Sequence, residues 1–241
     1  MKFSYASICE AGPRPTNEDA VGVWVISDTR LLAAVADGLG GMGGGQFASA
    51  IAINVIAQSV YSSPNSCEDF LCLAEKIHGE IRKKQSDGAE FKAMATTLSA
   101  VYLGPEGLRG VHCGDTRIMV ARGHGIKRLT RDHTDVARFL EQGKITKSEY
   151  HDYPRKNILY SALGGIKAPE IQTFEFKVEP GDWILLTSDG VHGRVSMIEF
   201  RDIAKYSSNP EEYMGALRKV LDKNGVTDNF SAIAIHVASE H

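Results

Sequence analysis

Acidic residues stand where apolar runs begin or stop in this sequence. "LLAAVADGLGGMGGG" ends a run at Asp37 and follows it with glycines, and "WILLTSDG" ends another at Asp189. "VTDNFSAIAIHV" puts Asp228 just before a run, "VHCGDTRIMV" puts Asp115 in a tight turn between two, and "RPTNEDA" puts Glu18 and Asp19 at the head of one more. Each alone is explained by turn chemistry, because Asp and Gly are residues that turns favour. Together they gather like charges at strand ends, which destabilises a fold unless a cation neutralises them. The donors are hard oxygens, suited to Mg2+ or Mn2+. Two such ions can clamp a phosphate and lower the pKa of a bridging water. Arg14, four residues before Glu18, brings a guanidinium that fits phosphate oxygens.

Other chemistries match less well. Zinc calls for closely spaced Cys and His, but the eight histidines are scattered and the cysteines Cys9, Cys67, Cys72 and Cys113 form no CxxC pair. His78, His112, His124, His151, His236 and His241 read as ordinary core-edge or surface residues, while His133 and His192 lie beside acidic motifs. "GLGGMG", Gly38 to Gly43, matches a dinucleotide fingerprint, but that site wants an acidic residue about 20 positions on. From Gln46 to Ser66 there is no Asp or Glu. No GK[ST] completes a Walker loop and no GxSxG elbow is present. A Cys-x5-Arg phosphatase loop fails at Cys113, since Met119 holds the arginine position and Arg117 has the wrong offset. Cys113 reads instead as a small buried side chain.

These residues need a scaffold, and the chain has the means to build one. Hydrophobic residues make up 43% of 241 residues, enough for a sizeable core, and the length suits one large domain or two small ones. The formal net charge is −3, without the basic tract that nucleic acid would call for. The N-terminus lacks a signal-peptide core, and "FASAIAINVIAQSV" is too short and too polar for a membrane span. The sparse cysteines predict a reduced, cytoplasmic protein. Residues 3–11, 20–27 and 30–36 read as strands, and 46–61 and 67–86 as helices. Phe70, Leu71, Leu73, Ala74, Ile77 and Ile81 share one side of the second helix. Four short runs between Thr96 and Thr130 predict successive hairpins turned by "GPEG", "GD" and "RGHG". Residues 134–165 read as short helices and loops, 171–178 and 182–187 as strands, 197–205 and 210–223 as helices, and "SAIAIHV" as a last strand. Hairpins with separate helical segments predict an α+β layered fold rather than an alternating parallel sheet.

The ordered set "RPTNEDA", "VADGLGGMGGG", "ATTLSAVYL", "GVHCGDTRIMV", "LTRDHT", "NILYSALGG", "LLTSDGV" and "DNFSAIAIHV" closely resembles the metal-dependent protein serine/threonine phosphatases of type 2C, from about Phe3 to Val237. The resemblance implies one domain spanning 1–241, a four-layer αββα sandwich, two antiparallel sheets flanked by helices, with a bimetal site at one edge. It implies that Asp37 bridges two Mn2+ or Mg2+ ions, that Asp189 and Asp228 hold one, and that Glu18 and the Gly38 carbonyl support the other, several of them through water. Asp115 with Asp189 would form a weaker third site. Arg14 would bind the substrate phosphate, and Asp19, Thr97, Asp132 and Asn229 would support. The implied reaction is direct attack by metal-bridging hydroxide on phosphoserine or phosphothreonine. The implied partners are a phosphorylated protein and a cognate bacterial Ser/Thr kinase, with the enzyme a monomer.

Three positions depart from the family. Leu39 stands where some eukaryotic members carry a histidine proposed as general acid, and Gly193 where many carry an aspartate. Ser161 replaces a common arginine beside the family's mobile flap, residues 138–165 here. Two rivals stay open on sequence: a phosphoprotein-binding module without turnover, and a nucleotide oxidoreductase.

Overall fold

The computed structural model describes residues 1–40, 44–62, 69–155 and 157–238, with nothing said of the His151 side chain. The expectations for the tip of the glycine loop, Cys67, the start of the second helix and His241 lie outside these residues.

Apolar alternation explains the layers. The strands are β1 (Lys2–Glu10), β2 (Asp19–Ser27), β3 (Arg30–Leu39), β4 (Ala95–Thr96), β5 (Leu98–Gly104), β6 (Gly107–Cys113), β7 (Arg117–Arg122), β8 (Gly125–Arg128), β9 (Gln172–Phe176), β10 (Trp183–Thr187) and β11 (Phe230–Ala238). The helices are α1 (Gly44–Ser62), α2 (Phe70–Lys84), α3 (Asp135–Glu141), α4 (Lys147–Asp152), α5 (Asp189–His192), α6 (Met197–Tyr206) and α7 (Pro210–Asn224). Along β3, Leu31, Ala33 and Val35 join Ile118, Ile184 and Ile233 between the sheets. Leu32, Ala34 and Ala36 turn the other way, onto Ala48, Ala52 and Ile56 of α1 and Ile77 of α2. Both faces of β3 are buried, so its sequence is uniformly apolar rather than alternating. On the other sheet, Leu185 and Ala234 pack on Phe200 of α6 and Leu217 of α7. The result is helices, sheet, sheet, helices, the expected α+β sandwich.

One sheet runs β1-β11-β10-β7-β8, and the other β2-β3-β5-β6-β9 with β4 on β3. Every pairing is antiparallel. "GPEG" and "RGHG" do turn hairpins, β5 to β6 and β7 to β8. "GD" does not: β6 pairs with β5 and β9, whereas β7 pairs with β10 and β8. Gly114 and Asp115 carry the chain from one sheet to the other. Turn residues specify a reversal, not which neighbour the next strand joins, and both flanking runs are apolar on both faces. The second helix starts at Phe70, and Leu71 points outward, 42% exposed.

The join of β3 to α1 requires glycine. A Cβ on Gly45 would lie 2.6 Å from the Gly38 carbonyl carbon and 2.7 Å from its oxygen. Gly45→Ala is expected to destabilise by about 1–3 kcal/mol through overpacking. Gly79, inside α2, has open space around it, so Gly79→Ala should stabilise by about 0.5–1 kcal/mol. Urea unfolding of both variants checks the pair; equal effects would refute the close contact.

Candidate metal centre

The site begins with strand register. Asp19 pairs with Asp37 across β2 and β3, and the Gly38 N–H donates to the Glu18 carbonyl at 3.0 Å. The start of one strand and the end of the next therefore bring three carboxylates to one rim. Two threonines fix the Asp37 backbone. The Asp37 N–H donates to Thr97 Oγ1 at 2.9 Å, and its carbonyl accepts from the Thr97 N–H at 2.9 Å and Thr96 Oγ1 at 3.0 Å. With both backbone groups used, and no hydrogen bond reaching its carboxylate among the described residues, the side chain is left to the cleft.

The other sheet supplies the opposite wall. Asp189 opens α5 directly after β10, and Asp228 precedes β11. Ser188 ties the walls together: its hydroxyl donates to Asp19 Oδ2 at 2.8 Å and accepts from the Ser231 N–H at 2.9 Å. Asp115 sits in the crossover between the sheets. Arg14, Glu18, Asp19, Asp37, Gly38, Leu39, Asp115, Asp189, Asp228 and Asn229 all line one cleft of about 380 Å³. A neighbouring cavity of about 480 Å³ shares Asp115, Asp189 and Asp228 and adds Arg117, Asp132, Tyr150, His192 and Gly193.

Two predicted residues lie apart from the carboxylate cleft. Thr97 is fully buried behind Asp37. Asp132 stands in the neighbouring cavity, gripped by Arg117 at 3.0 and 2.7 Å and by Arg128 at 3.0 Å. Burial pushes its carboxyl up, but the Arg117 bonds and charge outweigh this and hold it at about 2.

The cleft carboxylates behave oppositely. Burial, then the charges of Asp19, Asp189, Asp115 and Asp228, raises Asp37 well above the usual range. Burial and the charges of Asp189 and Asp132 push Asp115 to about 7. Burial pushes Asp19 to about 6 against its serine bonds. Asp189 is raised by burial and Asp228, and Glu18 mainly by burial. The nearest cation is exposed: Arg14 Nη2 lies 2.8 Å from Asp228 Oδ2. This donor set fits hard divalent cations. Among the described residues no group of three or more His, Cys, Asp or Glu side chains closes on a point as a ready-made chelate.

Sequence reasoning missed several parts. Ser188, Thr96 and the flap residues Asn157 and Leu159, which line the cleft, carry no spacing signal. Arg117 was weighed only as a partner for Cys113, yet it anchors Asp132. Ser161 does not face the cleft: its hydroxyl accepts from the Glu170 N–H at 2.8 Å and lies 3.3 Å from Cys113 Sγ. Burial pushes the Cys113 thiol up to about 12, as a structural cysteine requires. His112 is fully buried, not at a core edge. Its Nδ1 lies 2.9 Å from Ser99 Oγ and its Nε2 2.9 Å from the Arg131 carbonyl.

A pH dependence follows. Asp19 and Asp115 hold protons in the folded state up to about 6 and 7, against 3.8 ordinarily. Between these values these two carboxyls bind more protons in the folded protein than in the unfolded chain, so their contribution to stability falls as pH rises, while His112 and His192, held below their ordinary value by burial, pull the other way. The metal-free melting temperature, taken relative to that of an Asp115→Asn variant so that the histidines cancel, should therefore decline from pH 4 to pH 7. Mn2+ should raise it most at the alkaline end, because the ion displaces those protons. A difference that is flat or rising across this window would refute the charge crowding.

Comparisons with known proteins give the family. A family model described as Protein phosphatase 2C matches residues 14–229. The serine/threonine phosphatase stp of Listeria monocytogenes serotype 4b (strain F2365) is 28% identical over 228 residues, covering 92% of this chain and 90% of that protein. The protein phosphatase PhpP of Streptococcus pneumoniae serotype 2 is 28% identical over 233 residues, 94% of each chain. The crystal structure of the Mycobacterium tuberculosis serine/threonine phosphatase PstP/Ppp superposes with TM-score 0.86 at 26% identity, over 99% of this chain and 100% of that one. The PstP catalytic domain in complex with two manganese ions superposes with TM-score 0.82 at 26% identity, over 99% of each. The chain belongs to the protein phosphatase 2C family.

Proposed function

We propose that this chain is a metal-dependent protein phosphatase that hydrolyses phosphoserine and phosphothreonine. The observation that carries the reading is the crowding of Glu18, Asp19, Asp37, Asp115, Asp189 and Asp228 in one cleft beside Arg14. Such a cluster demands cations, and phosphate demands them too. Asp37 would be shared by two Mn2+ or Mg2+ ions. Asp189 and Asp228 would hold one, and Glu18 with the Gly38 carbonyl the other. Asp115 with Asp189 would take a weaker third, without help from Gly193. Bound there, the ions would polarise phosphoryl oxygens and turn water into a nucleophile at neutral pH, so that no phosphoenzyme is needed.

The chain's own residues orient the reactants. The Arg14 guanidinium binds non-bridging phosphate oxygens and presents the phosphorus to the carboxylate wall. Thr97 fixes the Asp37 backbone from behind, Asn229 holds the Glu18 N–H, and Asp19, tied to Ser188, supports the carboxylate wall. Leu39 lines the cleft and carries no proton, so the leaving serine or threonine oxygen is protonated from another source. The relatives named above are bacterial phosphatases, which supports a bacterial phosphoprotein substrate and a cognate Ser/Thr kinase. No helix of the described residues is long and apolar enough to cross a membrane. Cys9 and Cys113 are free thiols, in keeping with a cytoplasmic enzyme; we take it to act as a monomer.

Metal-stripped protein should not hydrolyse a phosphothreonine peptide until Mn2+ or Mg2+ is added. Asp37→Asn and Asp189→Asn should lower kcat/KM by about 100-fold or more. Undiminished turnover in either variant would overturn its ligand role. Folded protein inert with both metals would favour a phosphoprotein-binding module.

A further inference from the structure

The segment that presents Arg14 makes few bonds of its own. Its backbone–backbone hydrogen bonds among the described residues are the Arg14 N–H to the Ala11 carbonyl at 3.2 Å and, at its far end, the Gly38 N–H to the Glu18 carbonyl at 3.0 Å. Arg14 itself is 55% exposed, so packing does not fix its side chain. Order comes from beneath. Asn229, only 8% exposed, accepts the Glu18 N–H on Oδ1 at 2.9 Å. Its Nδ2 donates to the Ala11 carbonyl and to the Thr16 carbonyl, each at 2.9 Å. One amide thus grips the segment before Arg14 and twice after it.

Gly12 brings the segment down onto the same strand end. Its φ is +58°, and a Cβ there would lie 2.4 Å from the Asp228 carbonyl oxygen. Asp228 completes the contact from the neighbouring position. Its Oδ1 accepts the Asn229 N–H at 2.9 Å and its Oδ2 accepts Arg14 Nη2 at 2.8 Å.

We propose that Asn229 is the positioning residue for Arg14, bracketing residues 11–18 onto the strand end at Asp228 so that the guanidinium meets the phosphate in register with the carboxylate wall. The inference rests on the reading of Arg14 as the phosphate-binding residue. Asparagine suits the task because it offers two donors and an acceptor at this reach. Aspartate keeps the acceptor for Glu18 but sets an oxygen against the Ala11 and Thr16 carbonyls. Serine is too short for all three partners. Asn229→Asp therefore separates two roles: it leaves Glu18 anchored and loosens the Arg14 stretch.

The test compares wild type, Arg14→Ala, Asn229→Asp, Asn229→Ser and the Arg14→Ala/Asn229→Asp double variant. Three readouts are used: Mn2+ binding by calorimetry, amide hydrogen exchange over residues 11–18, and KM and kcat on a phosphothreonine peptide. Asn229→Asp should bind Mn2+ at least as tightly as wild type, since it adds a carboxylate to the cleft, yet speed exchange over 11–18 and raise KM on the order of tenfold, by more than kcat falls. Its effect should vanish in the Arg14→Ala background, because a residue acting through another is not additive with it. If Asn229→Asp fails to fold, Asn229→Ser in both backgrounds carries the same expectation for exchange and KM. Additive losses, or unchanged exchange and KM, overturn the bracket. Wild-type KM in Arg14→Ala overturns the phosphate role of Arg14 itself, a different failure.

Discussion

Mutual repulsion among half-buried carboxylates is the constraint on which the rest of this structure depends. Asp37 faces Asp19, Asp115, Asp189 and Asp228 at distances where each raises its pKa. A free chain would separate these groups and hydrate them. The fold prevents that, because each is carried on the rim of a sheet whose register is set by buried side chains elsewhere. Sliding β3 by one residue would move Asp37 out of the cleft, but it would also turn Leu31, Ala33 and Val35 out of the space between the sheets. The core therefore holds the charges in place. What cannot be relieved by movement is relieved by binding protons or cations.

Short polar side chains transmit that rigidity across the gap between sheets. Ser188 joins the head of β2 to the ends of β10 and β11. Thr96 and Thr97 occupy the Asp37 backbone. Asn229 spans from β11 to the segment before β2. These groups are buried and hydrogen-bonded, so they escape the usual cost of burying polar atoms. None carries a formal charge, so they order the carboxylates without neutralising them. A lysine or arginine in the same places would hold the cleft together and remove its need for metal.

Much of this was legible in the sequence, because acidic residues at the ends of apolar runs report strand ends directly. Asp37, Asp189 and Asp228 stand out that way, and all three line the cleft. The glycines after Asp37 signalled close approach, and the contact of Gly45 with Gly38 is that approach. The crossover at Gly114 and Asp115 was misread as a hairpin. Local turn signals are the same whether the next strand joins its predecessor or the facing sheet, and that choice is made by tertiary packing. Ser188 and Thr96 were invisible for a related reason: a buried serine or threonine differs from an exposed one only by its partners. The flap's contribution of Asn157 and Leu159 depends on residues 157–160 returning against 133–135 through the Thr134–Leu159 bridge, a long-range pairing with no local pattern.

Asp132 and Asp115 show how the same residue type comes to play opposite parts. Both are almost fully buried, and both line the second cavity. Asp132 receives both arms of Arg117 and one of Arg128, and is held at about 2. Asp115 feels Arg117 only through space, against burial and Asp189, and is pushed to about 7. The fold has satisfied one carboxylate from within and left the other wanting. The demand for an outside cation therefore falls from Asp37 towards Asp132, as arginine takes over from solvent. Gly193 lies on the satisfied side of that gradient, where the family often adds another aspartate. Without that carboxylate, the cavity beside Arg117 carries less negative charge, and the strongest crowding stays around Asp37.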